Sequence, residues 1–152
     1  NGEFGTVGAV PVHYLRRSLP IEELVAYYLA ADVMLVTPFR DGMNLVAKEY
    51  VASRKNEKGV LVLSEFTGSA VELDRAVLVN PHDIDGMAAT IEKAITMPPQ
   101  EQTRRMRSLR QRVRKRTVYT WASDFTHALE AEQPSPSSTN MQLPIDTTPS
   151  SP

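Results

Sequence analysis

The sequence predicts an α/β domain, a Rossmann-like parallel sheet with helices on both faces. Short runs of Val, Leu and Met recur along the chain with little polar alternation, as in strands buried on both sides. Between them lie tracts with helical spacing, which together make the βαβ alternation of a parallel sheet. The size fits one core: 152 residues, 41% hydrophobic and 23% charged, are ordinary values for a single globular domain.

The opening carries Gly2, Gly5 and Gly8, and Val10 to Leu15 then reads as a short strand, with Pro11 near its start where a missing N–H costs least. Pro20, Glu22 and Glu23 suit a helix first turn, where proline loses nothing and carboxylates meet the positive end of the dipole. Leu24, Val25, Tyr28 and Leu29 form the apolar face of that helix, which ends near Ala31. Asp32 to Val36 is a strand expected to be covered on both faces, and Pro38 stops it. Thr37 to Met43 is a loop, and Asn44 to about Arg54 a helix with Ala47, Tyr50 and Val51 spaced for burial.

Val60 to Leu63 is again a buried strand. Phe66 to Ser69 turns into a short helical stretch around Ala70 to Leu73, and Ala76 to Val79 supplies another strand, closed by Asn80-Pro81. Asp83 or Asp85 can cap a helix whose face is Met87, Ile91, Ala94 and Ile95, ending before Pro98-Pro99. Gln100 to Arg116 carries Met106, Leu109 and Val113 on one face; Trp121, Phe125 and Leu129 make a stripe in a second segment, whose default meaning is core. The β-branched Thr117, Val118 and Thr120 mark a break between the two.

Residues 133–152 hold five prolines and eight Ser or Thr with one charge, a composition that cannot bury a core. Residues 1–131 are therefore expected to form the domain and 132–152 a disordered Pro/Ser/Thr-rich tail. A start at Asn1, inside an Asn-Gly-Glu-Phe-Gly loop, suggests the C-terminal piece of a longer protein.

Charge and cysteine content exclude several classes of function. Seventeen Lys and Arg against eighteen Asp and Glu give a net charge of −1, which provides no global attraction to nucleic acid or to an anionic membrane. Zero cysteines exclude a disulfide framework, thiolate zinc and a cysteine nucleophile, and fit a cytoplasmic setting. No window reaches the roughly 18 apolar residues of a membrane span. Eight basic residues between Arg104 and Arg116 lack interleaved aromatics and alternate with Met106, Leu109 and Val113, so Arg110, Arg114 and their neighbours read as a solvated face rather than a nucleic-acid helix. His13, His82 and His127 lack ligand spacing, and no metal is implied.

In a parallel sheet ligands sit at the carboxyl ends of the strands, which directs attention to Phe39–Asn44 and Phe66–Ala70. In the first loop Gly42 allows a tight turn and close approach to a ligand, and the N–H groups of the helical start, roughly Asn44 to Val46, can point at a phosphate. Asp41 stands at the rim as a hydroxyl acceptor, and Glu49 can accept both hydroxyls of a ribose diol. Together these are the parts a nucleotide-diphosphate sugar needs. The same residues also make an ordinary turn dipeptide, helix start and exposed helix carboxylate. Lys48 could reach a phosphate but reads rather as solvent-facing or ion-paired, and Glu65 and Glu72 flank the second loop, either lining a ligand pocket or belonging to a simple βα turn with an N-cap.

The runs Asp32 to Tyr50 (DVMLVTPFRDGMNLVAKEY), Gly59 to Ala70 (GVLVLSEFTGSA) and Val79 to Asp83 (VNPHD) resemble the trehalose-6-phosphate synthase family, over Asn1 to about Glu130. The resemblance implies the C-terminal, donor-binding domain of a GT-B glycosyltransferase, with the N-terminal domain absent. Such enzymes transfer glucose from a nucleotide diphosphate to glucose 6-phosphate with retention and without a metal or other cofactor. By the same resemblance Asp41, Gly42, Met43 and Asn44 hold the donor glucose, Leu45 and Val46 give N–H contacts to the diphosphate, Glu49 binds the ribose, and the backbone of Leu19 recognises the base. UDP-, ADP- and GDP-glucose all remain open as donors, as does the oligomeric state. The acceptor ligands lie upstream in the family, so no catalytic residue is assigned here and the piece alone is expected to be inactive. Two rival readings are a glucosylglycerol-phosphate synthase, with another phosphorylated acceptor, and a non-catalytic nucleotide-sugar-binding module.

Overall fold

The computed structural model describes Gly5 and residues 10–131; Gly2, Gly8 and the expected tail at 132–152 lie outside the described residues. The chain divides into two compact units, Asn1–Lys115 and Arg116–Pro152.

The first unit contains α1 (Ile21–Ala30), β1 (Val33–Val36), α2 (Leu45–Ser53), β2 (Val60–Ser64), α3 (Ser69–Glu72), β3 (Val77–Val79), α4 (Ile84–Ile95) and α5 (Pro99–Lys115). The strands form a three-stranded parallel sheet in the order β1-β2-β3. All five residues of β2 are buried, because it is central in the sheet and covered on both faces. The register sets Leu61 beside Met34 and Leu63 beside Val36. Their face packs on Tyr28 of α1, on Ala47, Tyr50 and Val51 of α2, and on Met106 and Leu109 of α5. Val60 and Val62 point to the other face, with Val79, Ala94 of α4 and Met97. Helices thus cover both faces, as expected. Each fully buried Val or Leu contributes roughly 1.5–3 kcal/mol of transfer free energy.

Three expectations about elements are corrected. Val10 to Leu15 forms no strand: Val10, Val12, Tyr14 and Leu15 are exposed and lie outside the three strands of the sheet. β1 is not covered on both faces. Leu35 remains 44% exposed, since α4 lies against β2 and β3 and leaves the far edge open. The face expected for α4 is narrower too, with Ala94 buried and Ile95 exposed.

Caps and buried arginines fix the helices. Asp83, not Asp85, caps α4 by accepting the Gly86 N–H at 2.9 Å. Arg54 is buried and donates to the carbonyls of Tyr28 (3.1 Å), Leu29 (2.6 Å) and Lys58 (2.6 Å), closing the carboxyl end of α1. Gly59, at φ +90°, passes so close beneath Arg54 and Tyr50 that a Cβ would lie 2.4 Å from the Tyr50 hydroxyl. Arg110 corrects the solvated-face reading of α5. It is buried and donates to Val51 O (3.0 Å) and Ala52 O (2.8 Å), the carbonyls at the end of α2. One guanidinium nitrogen, on a side chain long enough to leave its own helix, serves both of these otherwise unpaired end carbonyls.

In the second unit the described residues form α6 (Val118–Ala131), so the chain breaks at Thr117 while Val118 and Thr120 are helical. Trp121 and Phe125 stack with centroids 5.4 Å apart, yet no residue of α6 is buried. Among the described residues the stripe is thus exposed rather than core.

Candidate functional site

The site lies where β1 and β2 end. The loop after β1 and the loop after β2 are joined by backbone: Asp41 N–H donates to Phe66 O at 3.3 Å and Gly68 N–H to Asp41 O at 2.9 Å, a short parallel bridge between Asp41 and Thr67. The bridge requires glycine at 68, where a Cβ would sit 2.0 Å from Gly42 O. At Gly42 itself a Cβ would meet nothing within 4 Å and no positive φ is needed. Gly42 is therefore no tight-turn glycine; it leaves open space in front of the loop.

Asp41 faces its own loop. One carboxylate oxygen accepts the N–H groups of Met43 (3.2 Å) and Asn44 (3.1 Å), and the other accepts Asn44 Nδ2 at 2.8 Å. The Asn44 side chain first, then the Met43 N–H, hold this carboxyl below the usual aspartate range. A carboxylate offers about four acceptor positions, so Asp41 keeps little capacity for a further partner. Asn44 is buried in the left-handed region (φ 61°), and its Oδ1 caps α2 by accepting the Ala47 N–H at 2.9 Å. Its own N–H is held by Asp41, so the expected row of free N–H groups does not begin at Asn44. It begins at Leu45 and Val46, the exposed first residues of α2, whose N–H groups have no acceptor earlier in the helix.

Glu49 stands one turn after Leu45, on the same side of α2. Its Oε2 accepts the Tyr28 hydroxyl at 3.0 Å. Tyr28 was expected only as an apolar face residue; the pair has no sequence signal, because its members lie on different helices. Leu19 is half-buried just before α1, and an Arg17–Glu23 ion pair ties this segment to the helix. α1 and α2 each lead back to the start of a strand and pack on one another, so their amino ends both face the carboxyl edge of the sheet. Gly42 and Met43 are exposed. Lys48 is ion-paired to Glu72 at 2.8 Å, in line with the expected ion pair. A further feature escaped the sequence: the His82 ring lies 4.8 Å from Phe39 and 5.7 Å from Phe66, linking the loops after all three strands. Among the described residues no group of three or more His, Asp or Glu could hold a metal ion, and no helix is long and apolar enough to cross a membrane.

The fold is a parallel α/β domain that carries, at the carboxyl ends of its strands, a braced loop feeding a helix start and a helix carboxylate. A model of glycosyltransferase family 20 matches residues 1–131, and the chain belongs to that family. A trehalose-6-phosphate synthase of Mycobacterium leprae is 60% identical over 134 residues, which are 88% of this chain and 27% of that protein. The trehalose-6-phosphate enzyme of E. coli bound with UDP-2-fluoro glucose is 42% identical, with a TM-score of 0.79 over 86% of this chain and 29% of that one. The UDP-forming α,α-trehalose-phosphate synthase of Burkholderia xenovorans in complex with glucose-6-phosphate is 44% identical at the same TM-score of 0.79, covering 86% and 29%. The chain thus spans about 27% of the length of the curated relatives it matches.

Proposed function

We propose that the chain is the donor-binding part of a retaining glucosyltransferase that makes trehalose 6-phosphate. The observation that carries this reading is the alignment of the open Gly42–Met43 loop, the Leu45–Val46 helix start and Glu49 along one edge of the sheet. It is supported by the family and by relatives whose names specify that synthase.

The donor glucose would lie over Gly42, Met43 and Asn44, with Asp41 fixing their backbone. The diphosphate would take the N–H groups of Leu45 and Val46, where the helix dipole adds a favourable field. Glu49 would accept the ribose hydroxyls, and the backbone near Leu19 would meet the base. UDP-, ADP- and GDP-glucose all suit a backbone contact. In the reaction the anomeric C1–O bond to the diphosphate breaks. The acceptor oxygen of glucose 6-phosphate bonds to C1 on the same face, and its proton passes to the departing phosphate oxygen. No metal is invoked: the residues here supply position and diphosphate stabilisation, and the acceptor contacts belong to residues outside this chain.

The test is glucosyl transfer to glucose 6-phosphate by the protein extended to the length of its relatives, with each nucleotide-glucose in turn. Trehalose 6-phosphate should form with at least one donor. Nucleotide-sugar binding without transfer to glucose 6-phosphate would overturn the acceptor assignment and favour another acceptor or a binding module.

A further inference from the structure

We propose that Tyr28 is a positioning residue for nucleotide recognition: its hydroxyl orients the Glu49 carboxylate toward the ribose. The inference rests on the ribose role of Glu49 proposed above and adds a residue on a different helix.

Three observations support it. The Tyr28 hydroxyl donates to Glu49 Oε2 at 3.0 Å, which leaves Oε1 and the remaining lone pair of Oε2 to accept a diol. The ring is held in place, buried to 4% exposure and edge-on to Tyr50 at 6.2 Å, with Arg54 donating to the Tyr28 carbonyl at 3.1 Å. Glu49 itself is exposed on α2 and has several staggered rotamers open to it in water. A fixed donor selects one of them, so less side-chain freedom is lost when the nucleotide arrives. Burial, and then the bond to Glu49, push the Tyr28 hydroxyl up to about 12. It therefore remains a donor throughout the neutral range. α1 thus runs from the segment proposed to meet the base, at Leu19, to the residue that aims the ribose acceptor.

Tyr28→Phe removes the hydroxyl and keeps the packed ring. In the protein at the length of its relatives, calorimetry would compare UDP, ADP and GDP with their 2′,3′-dideoxy counterparts for the unaltered protein, Tyr28→Phe, Glu49→Ala and the double variant. Tyr28→Phe should weaken binding of the preferred ribonucleoside diphosphate by about threefold to tenfold, the scale of one hydrogen bond. It should leave the dideoxy form unchanged and have no added effect once Glu49 is Ala. Equal losses for ribo and dideoxy forms, or a loss that persists in the double variant, would mark a merely structural tyrosine and overturn the inference. Glu49→Ala with no effect on either form would sink the ribose reading itself. A Glu49 effect beside an inert Tyr28→Phe would sink the positioning role alone.

Discussion

At the scale of residues, the site is built from side chains that serve the backbone. Asp41 spends its carboxylate on the N–H groups of Met43 and Asn44 and on the Asn44 side-chain amide, and Asn44 spends its amide on Asp41 and on the cap of α2. In the proposed site, the surface left to meet a ligand is main chain. Asp41→Ala should accordingly lower kcat/KM of the extended enzyme by about a hundredfold, because a misplacement of an ångström at a reacting centre costs that much. The melting temperature should fall only modestly, since Asp41 holds the loop through three hydrogen bonds but packs in neither core cluster; near-normal turnover would remove Asp41 from the donor site. The pH dependence has a definite sign. The folded state depresses the Asp41 pKa below its ordinary 3.8, so the brace is fully present above that pH and is lost only as the medium falls through the lower folded value. Loop order should thus survive mild acid.

At the scale of elements, the two buried arginines decide how helices end. Arg110→Ala would leave the Val51 and Ala52 carbonyls without their charged donor and open a gap between α5 and α2. A cost of about 2–3 kcal/mol in denaturant unfolding is expected, the range for hydrogen bonds to a charged group. Arg114→Ala, on the exposed side of the same helix, should stay within about 0.5 kcal/mol. Equal effects would restore the solvated-face reading of the whole basic run. This contrast also measures what a sequence conveys. The β2 run, the α2 burial positions Ala47, Tyr50 and Val51, and the end of α4 before Pro98 were legible, because each depends on local periodicity or a local breaker. Arg110 was not legible, since arginine on a helix usually faces water and its carbonyl partners lie 58 and 59 residues away. The candidate site divides the same way: the loop and helix start follow from Asp41 to Val46, whereas the Tyr28 contact and the bridge to Gly68 are tertiary facts. Val10 to Leu15 misleads for the opposite reason, a strand-like pattern in a segment whose apolar side chains stay exposed.

At the scale of the molecule, two aromatic rings stand exposed at the carboxyl ends of the strands. Phe39 is 65% exposed and Phe66 42%, and both stand beside His82 at the ends of the strands. A diphosphate held on this edge alone would remain hydrated on its open side, and a hydrated charge gains little from fixed N–H dipoles. The 152-residue chain should therefore form no trehalose 6-phosphate under conditions in which the protein at the length of its relatives does, as checked by the same transfer assay. Product from the short chain would place the acceptor contacts within these residues.

The backbone bridge between Asp41 and Thr67 bears on how such a domain can be redesigned. The stretches at 41–44 and 66–68 share hydrogen bonds, and Gly68 fits only against the carbonyl of Gly42. Grafting either loop by itself from another transferase would tear the main-chain link and drive a Cβ or a carbonyl into its neighbour. The two stretches form one cassette, and a library meant to change the donor sugar should exchange them together.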